Sequence, residues 1–88
     1  MLRISQIASP DATVTLRLEG QVRGPWVEAL RSVCDQVLAT QCALSLDFTD
    51  VSFLDRQGLA LCRRLRARQV ALLHYSPFVA EQLKGEGV

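Results

Sequence analysis

Polar and apolar residues alternate strictly along Thr13-Val14-Thr15-Leu16-Arg17-Leu18-Glu19. That period of two marks a strand with one buried face. Leu2–Ile7 reads as a shorter strand, and Ser9-Pro10-Asp11-Ala12 between them has the chemistry of a turn. The short connection favours an antiparallel pair. The pattern breaks from Gly20 to Gly24, and Pro25 follows at what would be a first helical position, where its fixed φ and missing N–H do no harm. Trp26, Val27, Leu30, Val33, Cys34, Val37 and Leu38 then recur at spacings of three and four, with Glu28, Arg31, Ser32, Asp35 and Gln36 on the other face. This is an amphipathic helix. Ala43–Phe48 is short and mostly apolar and reads as a central strand. Thr49–Leu54 reads as a connection carrying two buried side chains, Val51 and Phe53.

Asp55 is suited to cap a second helix. Its inward stripe is Gly58, Leu61, Cys62 and Leu65, while Leu59, Ala60 and Ala67 fall on the outward side. Val70–Tyr75 reads as the last strand. Ser76 caps and Pro77 opens a final helix that turns Phe78, Val79 and Leu83 inward and ends at Gly85. The order β-β-α-β-α-β-α, with strands alternating with helices, implies parallel strands joined by right-handed crossovers. The expected fold is α/β: a four-stranded, mostly parallel mixed sheet with one antiparallel edge strand and three helices. Residues 1–88 read as one domain. The loops leaving the carboxyl ends of the parallel strands, Gly20–Gly24, Thr49–Gln57 and Ser76–Pro77, gather at one end, where topology places function.

Composition sharpens this picture mainly by exclusion. The chain is 49% hydrophobic and 22% charged with a net charge of +1, so no overall field points to nucleic acid or an anionic membrane. No apolar run approaches a membrane span, and Met1–Ser5 lacks a signal peptide's apolar stretch; a soluble cytoplasmic protein is expected. Three cysteines, Cys34, Cys42 and Cys62, with no Cys-x-x-Cys pair, fit neither a disulfide framework nor a zinc site. Neither phosphate-cradling glycine motif is present. His74 stands alone with no nucleophile near it in sequence. Asp47, Asp50 and Asp55 lack the Gly and final Glu of a calcium loop. No catalytic residue, metal ligand or cofactor is assigned.

The second helix is unusual in charge. Arg56, Arg63, Arg64, Arg66 and Arg68 are five of the chain's ten Lys and Arg residues. They form either a solvated face or a surface that welcomes acidic groups on a partner. No aromatic stacking surface accompanies them, which argues against nucleic acid. An exposed Leu59 beside Ala60 and Ala67, set between the arginines, would make a docking strip, since small residues let a partner approach closely and the charges set its orientation.

The run Leu44-Ser45-Leu46-Asp47-Phe48-Thr49-Asp50-Val51-Ser52-Phe53-Leu54-Asp55-Arg56-Gln57-Gly58-Leu59 resembles the signature of STAS domains. These are the bacterial anti-sigma factor antagonists and their relatives, including the cytosolic tails of sulphate transporters. The family pattern is an apolar strand, then Val-x-Phe-Ile-Asp, then Ser-[Ser/Thr/Ala]-Gly-Leu opening a helix. The element order and the Ser76-Pro77 helix entry agree. The resemblance implies that the hydroxyl residue just after the Asp is phosphorylated by an anti-sigma kinase, releasing the partner. Here that position is Arg56, and the next is Gln57; neither has a hydroxyl. A phosphate would add nearly two negative charges at the positive end of a helix. Arg56 places a positive charge there instead. Two unit charges ~5 Å apart at an effective dielectric of ~20 interact by roughly 3 kcal/mol, enough to change which partners are tolerated.

The expectation is therefore a non-catalytic protein-binding module, with Asp55, Arg56, Gln57, Gly58, Leu59, Ala60 and Arg63 as the partner-binding residues. The partner would be an anti-sigma factor or kinase-fold regulator. Two alternatives stay open. One is the small cytosolic subunit that docks on the ATPase of a phospholipid-asymmetry transporter, and the other is a small-ligand site around Trp26, Asp55 and Ser76. The first strand offers an edge for pairing with a second copy, so a homodimer is possible.

Overall fold

An antiparallel hairpin opens the chain. β1 (Leu2–Ala8) pairs residue for residue with β2 (Thr13–Val22), from Leu2 opposite Gly20 to Ala8 opposite Val14. The computed structural model describes residues 2–86, with the side chains of the last helix placed as far as Lys84. β2 leads through α1 (Pro25–Ala39) to β3 (Ala43–Leu54), which lies parallel beside it. β3 leads through α2 (Arg56–Ala67) to β4 (Ala71–Leu73), again parallel, and α3 (Pro77–Glu86) follows. The sheet order is β1-β2-β3-β4. This is the expected mixed α/β sheet with its antiparallel edge and three helices.

The alternating patterns set the layers. Val14, Leu16 and Leu18 of β2 and Leu44, Leu46 and Phe48 of β3 share one face and are buried with Leu30, Cys34 and Val37 of α1 and Leu61, Cys62 and Leu65 of α2. The intervening residues, among them Arg17, Thr49 and the half-buried Thr15 and Ser45, occupy the other face, and none of these four is buried. One layer of apolar side chains between sheet and helices is thus the whole core.

The turns obey local chemistry. Asp11 accepts the Thr13 amide hydrogen bond at 3.3 Å in the hairpin turn. α2 ends in a Schellman closure: Val70 N–H donates to Leu65 O and Gln69 N–H to Arg66 O, both at 3.0 Å, with Gln69 left-handed at φ 66°.

Several sequence expectations need correction. Gly20 does not end β2. At φ 112° it takes up an irregularity in the β2–β3 register, and the strand runs on to Val22. Opposite it, Thr49–Leu54 is not a connection but the second half of β3. The last strand is only Ala71–Leu73, so His74 and Tyr75 lie beyond it. α3 runs past Gly85 to Glu86. Trp26 is 37% exposed and not part of the inward stripe of α1. In α3, Val79 and Leu83 point inward as expected, one turn apart, but Phe78 lies about 100° round the helix from Val79 and is 57% exposed. Among the described residues no helix is long and apolar enough to cross a membrane.

Candidate functional site

Asp55 stands where β3 ends and α2 begins, and both of its carboxylate oxygens are used. Oδ1 accepts the Gly58 amide hydrogen bond at 2.7 Å, the N-cap expected from its position. Oδ2 accepts the Gly24 amide at 2.9 Å, from the turn that opens α1. Its backbone N–H donates to Val22 O at 3.1 Å, and its carbonyl accepts from Leu59 N–H at 2.9 Å. One residue therefore ties the end of β2, the start of α1 and the start of α2 together.

Gly58 explains why these parts can approach. A Cβ built there would lie 2.6 Å from Val22 O, closer than any side-chain carbon can sit. Asp55 and Gly58 are thus inward members of the turn, and Arg56 and Gln57 are its exposed members. Ala60 is exposed one turn further on. Arg63 is partly buried, and its Nη2 has no hydrogen-bond partner among the described residues.

Leu59 was expected to face outward and does not; it is 6% exposed. The helical wheel assumes one packing neighbour, the sheet, whereas α3 covers a second flank of α2. Leu59 helps to floor a groove of about 470 Å³ between the end of β3, the start of α2 and α3. Phe53 and Leu54 complete the apolar lining, and Arg56 and Glu81 bring opposite charges to it. Gln82 closes it. Its amide donates to Leu54 O at 2.8 Å and accepts from Leu54 N–H at 3.3 Å. Sequence reasoning placed neither Glu81 nor Gln82 at the site, since nothing local in the last helix signals a bond to residue 54.

Other candidates are dispersed. Asp47 Oδ1 accepts from Thr49 N–H at 2.9 Å and Thr49 Oγ1–H at 2.6 Å, and His74 Nδ1 lies 3.4 Å away. The Thr49 donors, with His74 nearby, hold the Asp47 carboxyl below the usual carboxylate range. Asp50 pairs with Arg17 at 3.0 Å. The three aspartates thus serve three separate partners, and no group of three metal-ligating side chains gathers among the described residues. Burial pushes the Cys34 and Cys62 thiols up to about 12. Trp26 stands two residues past the tethered Gly24. Ser76 Oγ accepts from Val79 N–H at 3.2 Å, the cap expected for α3, and puts exposed Phe78 in the first helical turn.

The hairpin edge, the two parallel crossovers and the capped turn after the central strand define an α/β fold of the STAS type. SpoIIAA, an anti-sigma factor antagonist solved in its unphosphorylated form, superposes with a TM-score of 0.71 at 23% identity, over 93% of this chain and 82% of that one. An uncharacterised protein with a SpoIIAA-like fold from Shewanella loihica matches at 0.61 and 16% identity, over 92% and 77%. Mglu matches at 0.57 and 23% identity, with 80% of this chain aligned to 18% of that one. No protein-family model matches the sequence, and no curated protein matches it.

Proposed function

We propose that this chain is a non-catalytic, cytoplasmic protein-binding module of the anti-sigma factor antagonist kind. Its partner, an anti-sigma factor or kinase-fold regulator, docks on the exposed residues of the Asp55–Gly58 turn and on Ala60 and Arg63 behind it. Leu59 contributes from within, as the floor of the adjoining groove. The observation that carries this reading is the juxtaposition of a rigid turn with an apolar groove. Asp55 and Gly58 hold the backbone, Arg56 and Gln57 project from it, and beside them half-buried Phe53 lines a groove floored by the buried Leu54 and Leu59. A site of this kind recognises a protein side chain through an apolar anchor and a charged rim.

The turn carries no phospho-switch, because Arg56 and Gln57 offer no hydroxyl. Binding is therefore constitutive at this position, and any regulation acts on the partner or on another residue.

Capture of partners on immobilised full-length chain tests the reading. Arg56→Glu and Glu81→Arg, both at exposed positions, are expected to weaken capture by tenfold or more. Capture as strong as wild type by both variants sinks the site. If the captured partner has a kinase fold, ATP should phosphorylate Arg56→Ser at the new serine and release it, leaving the wild-type turn unmodified. Capture of a transporter ATPase would instead favour the transport-subunit alternative.

A further inference from the structure

We infer that the outer face of α2 is a docking track for an acidic helix of a partner protein. This rests on the reading of the neighbouring turn as a protein-binding site and extends it along the helix.

The charge is concentrated here and largely uncompensated. Arg56, Arg63, Arg64, Arg66 and Arg68 are half of the chain's ten basic residues, whereas the rest of the chain has five basic residues against eight acidic. The one carboxylate in this segment, Asp55, is committed to two backbone amides. Among the described residues, only Arg68 reaches a carboxylate, Asp35 of α1 at 3.0 Å. Arg31 engages Asp35 as well, and also Glu28, so α1 has little negative charge left to offer. Among the described residues four of the arginines therefore make no salt bridge, although the charge of Arg64 is felt at Glu28, and a complementary surface both orients and accelerates its own approach.

The shape selects a helix. Arg56, Ala60, Arg63 and Ala67 follow one another at intervals of four, three and four, the spacing of a seam between paired helices. Ala60 and Ala67 are exposed, and their short side chains leave room for large apolar residues of the partner. Arg64 runs alongside, lining two shallow depressions of about 320 and 380 Å³ between α1 and α2. A guanidinium suits a carboxylate well, since its fork of N–H groups donates to both oxygens. Nucleic acid fits less well, because α2 contains no aromatic side chain on which a base could stack.

A fluorescently labelled three-heptad helical peptide, with Leu at the seam positions and Glu flanking them, tests this by anisotropy against the full chain. At low salt it should bind at least tenfold tighter than the same peptide with Gln in place of Glu, and the advantage should shrink as salt rises. Arg64→Glu should abolish the advantage. Ala60→Gln, which fills the seam and keeps the charge, should weaken both peptides. Equal binding of the two peptides overturns the inference, as does indifference to Arg64→Glu or to Ala60→Gln. Tighter binding of a short DNA duplex at the same face would assign it to phosphates instead. The turn and the track fail separately. Partner capture indifferent to Arg56→Glu and Glu81→Arg sinks the turn, and peptide binding indifferent to Arg64→Glu sinks the track.

Discussion

A methyl group at Gly58 would have to share space with the Val22 carbonyl, which is backbone and cannot swing aside. Gly58→Ala should therefore cost roughly 1–3 kcal/mol despite the better helix propensity of alanine. Urea unfolding checks this as a lower midpoint at unchanged slope. Asp47 makes a second prediction, in acid. Its folded pKa lies below the ordinary 3.8, so its contribution is complete above that value and fades as pH falls through the depressed one. Asp47→Asn should be less stable than wild type at neutral pH by a constant margin that closes below about pH 4. Stability measured from pH 7 to 2 would expose a gap that fails to close. At this scale Asp55 and Gly58 were legible in the sequence, since cap chemistry and close packing are local demands. Leu59 was not, because its burial depends on α3, more than a dozen residues further along the chain.

β3 outruns its neighbour. It is twelve residues long, but β4 pairs only with Ser45–Asp47, so among the described residues its later half has no strand on that side. Gln82 substitutes for the missing strand by bonding both backbone groups of Leu54. Gln82→Ala should release them at a cost of about 1–3 kcal/mol and speed hydrogen exchange at the Leu54 amide. Protection unchanged at Leu54 would show that the bond carries no load. This explains why the sequence misled at the same place. Thr49 and Asp50 interrupt the apolar pattern as a loop would, yet β3 continues there because β2, with Gly20 absorbing the irregularity, continues beside it. The helices were easier, since spacings of three and four report a face directly. Phe78 escaped because the cap at Ser76 sets the helical phase, and that phase favours Val79 and Leu83.

Among the described residues the core is a single apolar layer on one side of the sheet, which α1 and α2 seal together. Cys34 and Cys62 lie in that layer with thiols pushed up to about 12, while Cys42 is half-buried at its margin. The native protein should thus yield one thiol to a colorimetric disulfide reagent quickly, and the other two only at the rate of opening of the core. Three fast thiols would mean that the layer opens locally. The order of strands and helices was legible because each crossover has one allowed hand. The charge asymmetry between α2 and the remainder was legible only as a count. Its lack of compensation emerges once Arg31 and Arg68 are seen to take the acids of α1.

The shared carboxylate of Asp55 works as a linkage between two loops. Displacement at Arg56 is passed through it to the Gly24 amide, and the indole of Trp26, the only tryptophan, sits two residues beyond. The molecule therefore contains its own gauge: occupation of the turn should alter Trp26 emission without any label, and Asp55→Ala, which also loosens the turn and weakens binding, should leave the emission unmoved even at partner concentrations that restore occupancy. Emission that ignores a bound partner in the wild type would show the linkage to be slack.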